Sequence, residues 1–152
     1  MSVFRALVLY EEGGKIVPHL QDLDDSRLPP GDVTVRVEYS TLNYKDGLAV
    51  TGKGKVVKGA SPFVPGIDLV GTVEHSDSDA YRPGDQVIGT GWGLGEEHWG
   101  GYSQVQRVQP EYSFARRARC LLRLCPLANF DRLDTRQMAA SRSRGKIPTI
   151  GP

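Results

Sequence analysis

The chain has 152 residues, 39% of them hydrophobic and 24% charged, which suits one soluble domain with at most a tail. Its net charge of +1 hides an imbalance: residues 1–110 carry 10 Lys and Arg against 15 Asp and Glu, and residues 111–152 carry 9 against 3. The N-terminal apolar run is too short for a secretory signal, and no run approaches the ~18 residues of a membrane span. Cys120 and Cys125 form no disulfide framework, so the expected location is cytoplasmic and no membrane partner is expected.

Eighteen glycines and ten prolines favour a turn-rich, mostly β architecture. "FRALVLY" (4–10) fits a buried strand and "EEGGK" (11–15) a turn. "KIVPHLQDL" (15–23) predicts a weak return strand broken at Pro18. "DVTVRVEYS" (32–40) alternates cleanly, with Val33, Val35, Val37 and Tyr39 on one face. "NYKDGLAVTG" (43–52) predicts a short helix, capped by Asn43 with Asp46 in its first turn. "SPFVPG" (61–66) is rigid irregular chain. "IDLVGTVEHS" (67–76) is a strand in which Gly71 marks a bulge or close packing. A turn and strand follow at 81–89, a glycine-rich loop at 89–101 and a last alternating strand at 101–108. Short strands with one small helix predict a mainly β fold, a partly open β-barrel. Residues 111–152 show no strand alternation, and the last thirty are expected to be poorly ordered.

Several motifs fall short of their chemistry. "GLAVTGKG" (47–54) has the glycine and lysine spacing of a phosphate loop, but Gly54 stands where a hydroxyl must meet Mg²⁺. "GTGWGLG" (89–95) misses the dinucleotide spacing and opens no helix. His19, His75 and His98 are scattered, and no metal is expected. The arginine-rich tail could meet nucleic-acid phosphates, but it carries only Tyr112 and Phe130 as aromatics and no recognition motif.

"RLPPGDVTVRVEYSTLNYKDGLAVTGKGK", "PFVPGIDLVGTV" and "YRPGDQVIGTGWGLGEEHWGGYSQ" together resemble the N-terminal domain of medium-chain dehydrogenases/reductases. Within that superfamily they resemble the zinc-independent quinone-oxidoreductase branch, of the acryloyl-coenzyme A reductase type. The resemblance covers residues 1–109 and implies a GroES-like barrel with one or two short helices. It implies that a second, Rossmann domain binds NADPH, and that hydride passes to the β-carbon of acryloyl-CoA to give propanoyl-CoA. A quinone or enal acceptor is the alternative within the superfamily. A stand-alone GroES-like module with a basic nucleic-acid-binding arm is the alternative from another class.

The resemblance carries Tyr44 to the nicotinamide end of NADPH, and Asn43, Asp46 and Asp68 to the catalytic corner. Trp92, His98 and Trp99 match a loop at the cleft mouth. The chain reads Gly66-Ile67-Asp68 where zinc-binding relatives read "GHE", which removes the metal. Past Val108 the resemblance stops. Residues 110–152 are therefore expected to be an aberrant basic tail, from a frameshift or a rearrangement, with the Rossmann domain absent. Such a fragment is expected to be inactive, to bind NADPH weakly if at all, and to leave strand edges open to dimerisation or aggregation.

Overall fold

The computed structural model describes residues 2–111 and the short stretch 130–132. Strands β1 (Val3–Glu12) and β2 (Lys15–Asp24) pair antiparallel along ten residues each. Gly13 and Gly14, at φ 57° and 76°, make the two-residue turn between them, whose twist matches that of the strands.

The expected break at Pro18 does not occur. Pro18 lies opposite Leu9, and the Leu9 N–H and C=O both bond to Phe63 on the far side of β1. The Leu9–Pro18 pair therefore exchanges no ladder bond. The missing N–H of Pro18 falls on the outer edge of β2, where no strand requires it.

The second sheet is built around β3 (Val33–Thr41). β4 (Asp68–Ser76) pairs with one side of β3, and β5 (Gln86–Thr90) pairs with β4. β6 (Val105–Val108) covers the other side of β3 at Val33–Arg36, and β7 (Phe130–Arg132) covers it at Tyr39–Thr41. β7 lies within 111–152, the stretch that shows no strand alternation. Three residues are too few to show alternation, and what makes them a strand is the edge of β3 they lie against.

The bridges Ala6–Ser103 and Leu9–Phe63 join the two sheets without closing a cylinder. The result is the expected mainly β, partly open barrel, with one α-helix among the described residues, α1 (Tyr44–Thr51), and a 3₁₀ turn at Asp25–Arg27.

Val33, Val35 and Val37 point inward against Leu69, Val73 and Val87. Full burial of each such side chain stabilises the fold by about 1.5–3 kcal/mol. Tyr39 departs from the predicted face: it is half-buried, whereas Ser40 and Thr41 are buried. The pairing with β4 slips between Val37 and Tyr39. Such a bulge exchanges the two faces of a strand beyond it. Gly71 sits opposite Val37 at this slip, and a Cβ there would lie 2.1 Å from the Arg36 carbonyl oxygen. The close approach expected at Gly71 is thus present.

Candidate active site

The bulge aims two hydroxyls at the start of β4. Ser40 Oγ donates to the Asp68 carbonyl at 2.8 Å, and Thr41 Oγ1 donates to Asp68 Oδ2 at 2.6 Å. Asn43, two residues on, donates from Nδ2 to Asp68 Oδ2 at 2.9 Å and also to Thr41 Oγ1. One oxygen of the Asp68 carboxylate is thereby held twice. The other oxygen, Oδ1, has no hydrogen-bond partner among the described residues.

Asp46 lies beneath this centre at 1% exposure. Its carboxylate accepts from the Asn43 backbone N–H at 2.9 Å and from the Ile67 N–H at 3.1 Å. From the first turn, where it was expected, it completes a capping box with Asn43, the expected N-cap of α1, and also ties that helix to the residue preceding Asp68. Burial pushes the Asp46 carboxyl above its ordinary value, against the lowering effect of those N–H donors. Tyr102 OH donates to the Thr41 carbonyl at 2.9 Å, and burial next to the Asp46 carboxylate pushes its phenol well up, so it stays protonated. Backbone packs tightly here too. A Cβ on Gly101 would lie 2.1 Å from the Asp68 carbonyl oxygen and 3.0 Å from Ser40 Oγ.

Asn43, Asp46 and Asp68 are thus brought together, and Tyr44 adjoins them at the first position of α1 with 83% exposure. Leu42, on the other side of Asn43, is 76% exposed. The backbone leading to Trp92 starts from this corner: Thr90 pairs with Asp68, the Gly91 N–H bonds to the Ile67 carbonyl, and Trp92 follows. His98 and Trp99 do not join it. They line a separate pocket of about 310 Å³ with Pro29, Pro30, Phe63 and Arg107. Trp99 Nε1 donates there to the Pro62 carbonyl at 3.2 Å.

Ser40, Thr41 and Tyr102 escaped the sequence reading. The loss of alternation at "YST" was the available signal for the first two; Tyr102 gave none. The near phosphate loop is inverted: Gly47 lies inside α1 and Gly52 ends it at φ 67°, so no helix N-terminus follows the loop. Among the described residues no group of three His, Cys, Asp or Glu could hold a metal ion, and no helix is long and apolar enough to cross a membrane.

The family model of the alcohol dehydrogenase GroES-like domain matches residues 29–116. The chain belongs to this family. "Probable acrylyl-CoA reductase AcuI" of Escherichia coli K12 is 50% identical over 111 residues, which cover 73% of this chain and 34% of that protein. "Acrylyl-CoA reductase AcuI" of Ruegeria pomeroyi is 46% identical over 145 residues, covering 94% of this chain and 40% of that protein. The crystal structure of Escherichia coli K-12 YhdH with bound NADPH matches with a TM-score of 0.71 at 47% identity, covering 75% of this chain and 35% of that one. This GroES-like chain therefore spans only 34–40% of the length of these two curated relatives. The expected kinship with the acryloyl-coenzyme A reductase type stands on these matches.

Proposed function

We propose that this chain is the GroES-like part of an NADPH-dependent reductase that saturates the C=C bond of a 2-enoyl thioester, acryloyl-CoA first among them. The identity of 46–50% to two proteins named for that reaction supports this reading. The observation that carries it is the Asn43–Thr41–Asp68 centre, which leaves one carboxylate oxygen open beside an exposed Tyr44.

The residues present fit one end of the cofactor. Tyr44 offers an exposed ring with an unpartnered hydroxyl among the described residues, and Asp68 Oδ1 offers an acceptor. These two groups would hold the nicotinamide end. The phosphates find no such place, because the N-terminus of α1 is already filled by the Asp46 carboxylate. When bound, NADPH supplies the hydride for the β-carbon. The chain's own residues fix the geometry. Thr41 and Asn43 hold the Asp68 carboxylate, Asp46 fixes Asn43, and Leu42 keeps apolar surface at the rim. Such fixed positioning is where a protein assists a cofactor that carries the chemistry.

On this reading residues 1–109 form the GroES-like domain. The alignment over 94% of the chain and the seating of Phe130–Arg132 on β3 speak for kinship beyond residue 109 as well, against a tail of foreign sequence. The proposed basic nucleic-acid-binding arm lies almost wholly outside the described residues.

The test joins residues 1–111 to the remainder of the Escherichia coli relative and follows NADPH absorbance with acryloyl-CoA. The chimera is expected to oxidise NADPH only when the thioester is added, and the 152-residue chain alone is expected to do neither this nor bind NADPH measurably. A folded chimera that reduces quinones but not acryloyl-CoA would transfer the reading to a quinone reductase.

A further inference from the structure

Trp92 has a backbone conformation that its side chain disfavours. Its φ is 52°, and it is the sole non-glycine residue at positive φ among the described residues. A bulky side chain in that region costs about 1–2 kcal/mol. Such strain persists only where the surroundings dictate it, and here they do. The Gly93 carbonyl accepts from the N–H groups of Glu96, Glu97 and His98, and Gly95 N–H bonds to the His98 carbonyl. Lys45 pairs with Glu96 at 2.6 Å and Lys58 with Glu97 at 2.8 Å. The Gly91 N–H fastens the other end of the turn to Ile67.

This held turn leaves Trp92 58% exposed, with its indole N–H unpartnered among the described residues. It lies two residues beyond Thr90, the partner of Asp68 across the sheet. Glycine would satisfy the backbone with no strain. Among the described residues nothing accounts for the side chain. The site beside it carries an open carboxylate oxygen, and the nearby Lys45 is bound by Glu96, which leaves it no unpaired cation among the described residues. An anionic group is thus disfavoured. An uncharged, flat, conjugated carbonyl fits: it stacks on an indole face and accepts from an indole N–H.

We propose that Trp92 is a substrate-contacting residue that forms one wall for the planar enoyl thioester, opposite the Asn43–Asp68 centre. The inference rests on the reading of that centre as the substrate corner.

The test titrates the ¹⁵N-labelled full chain with the N-acetylcysteamine thioester of crotonic acid at millimolar concentration. The reporters are the indole N–H signals of Trp92 and Trp99 and the side-chain amide of Asn43. Trp92 and Asn43 are expected to move together and saturate, while Trp99 stays still. Trp92→Gly is expected to keep or raise the melting temperature and to weaken the affinity read at Asn43 roughly five- to tenfold. Movement of Asn43 without Trp92, or undiminished affinity in Trp92→Gly, overturns the proposal and leaves the corner intact. Movement of Trp92 with 1-methyl-1,4-dihydronicotinamide but not with the thioester overturns it in favour of a cofactor wall. If neither Trp92 nor Asn43 responds to either probe, the proposal and the reading of the corner both fall.

Discussion

Asn43 and Asp68 stand 25 positions apart in sequence and are joined by a 2.9 Å hydrogen bond from Nδ2 to Oδ2. One end of that bond sits at the cap of the only α-helix among the described residues, the other at the first residue of β4. The orientation of the carboxylate is therefore coupled to the integrity of the helix start.

Asn43→Ala removes the bonds to Asp68 and Thr41 together with the cap. The expected loss is about 1–2 kcal/mol, read from urea unfolding. Asn43→Ser restores a capping oxygen but cannot reach Asp68 as the amide does. It is expected to recover part of the stability and none of the thioester affinity. Equal recovery of both would show that Asn43 acts only as a cap.

Asp46 gives stability a pH dependence of unusual sign for a carboxylate. Burial raises its folded-state pKa above the ordinary 3.8. Below that value both folded and unfolded chains keep the proton, and its contribution is full. As pH rises through the ordinary value toward and past the raised one, the unfolded chain releases the proton first and the contribution is lost. Asp22, Asp24 and Asp25, whose hydrogen bonds hold their pKa values low, act the other way. The comparison with Asp46→Asn isolates the effect. The variant is expected to be less stable at every pH, by about 1–3 kcal/mol at low pH, because its NH₂ cannot accept from both N–H groups. The gap between the proteins should narrow as pH rises above 3.8. A gap that widens with pH would mean that the ionised form is the one the fold prefers.

The sequence made the frame of this site legible and left its closure hidden. Asn43 before "YKDG" and the alternation from Val33 to Val37 are local patterns, and each predicted its element correctly. The bulge that turns Ser40 and Thr41 inward depends on Gly71, which lies on another strand. Pro18 looked like a break because one strand read alone does not reveal which edge its N–H would face. The second bond of Asp46, to Ile67, and the seat of Tyr102 under Thr41 join segments 21 and 61 positions apart. No periodicity within a window spans such distances. The strand at Phe130–Arg132 lies along β3, some ninety positions back in the sequence.

Gly101 tests how closely the last loop must approach β4. Gly101→Ala places a methyl group 2.1 Å from the Asp68 carbonyl oxygen, and both partners are backbone or buried. Relief requires β4 or the loop to shift, at an expected cost of about 1–3 kcal/mol. The shift should also disturb the Ser40 bond to the Asp68 carbonyl. The melting temperature should therefore fall, and the Asn43 amide signal should move in the unliganded protein. A variant with unchanged melting temperature and spectrum would show that the approach is looser than 2.1 Å implies.

Pro18 tests the outer edge of β2. Its position exchanges no ladder bond with β1, so Pro18→Val is expected to change the monomer's unfolding free energy by no more than about 0.5 kcal/mol. It does add an N–H to an edge that no strand covers among the described residues, and it adds a residue that favours strands. Proline on an edge discourages pairing with another chain. Sedimentation should therefore show concentration-dependent association in Pro18→Val beyond that of the parent chain. Equal association would mean that Lys15, His19, Asp22 and Asp24 along β2 already suffice to keep that edge single, and that the proline is a tolerated residue with no protective part.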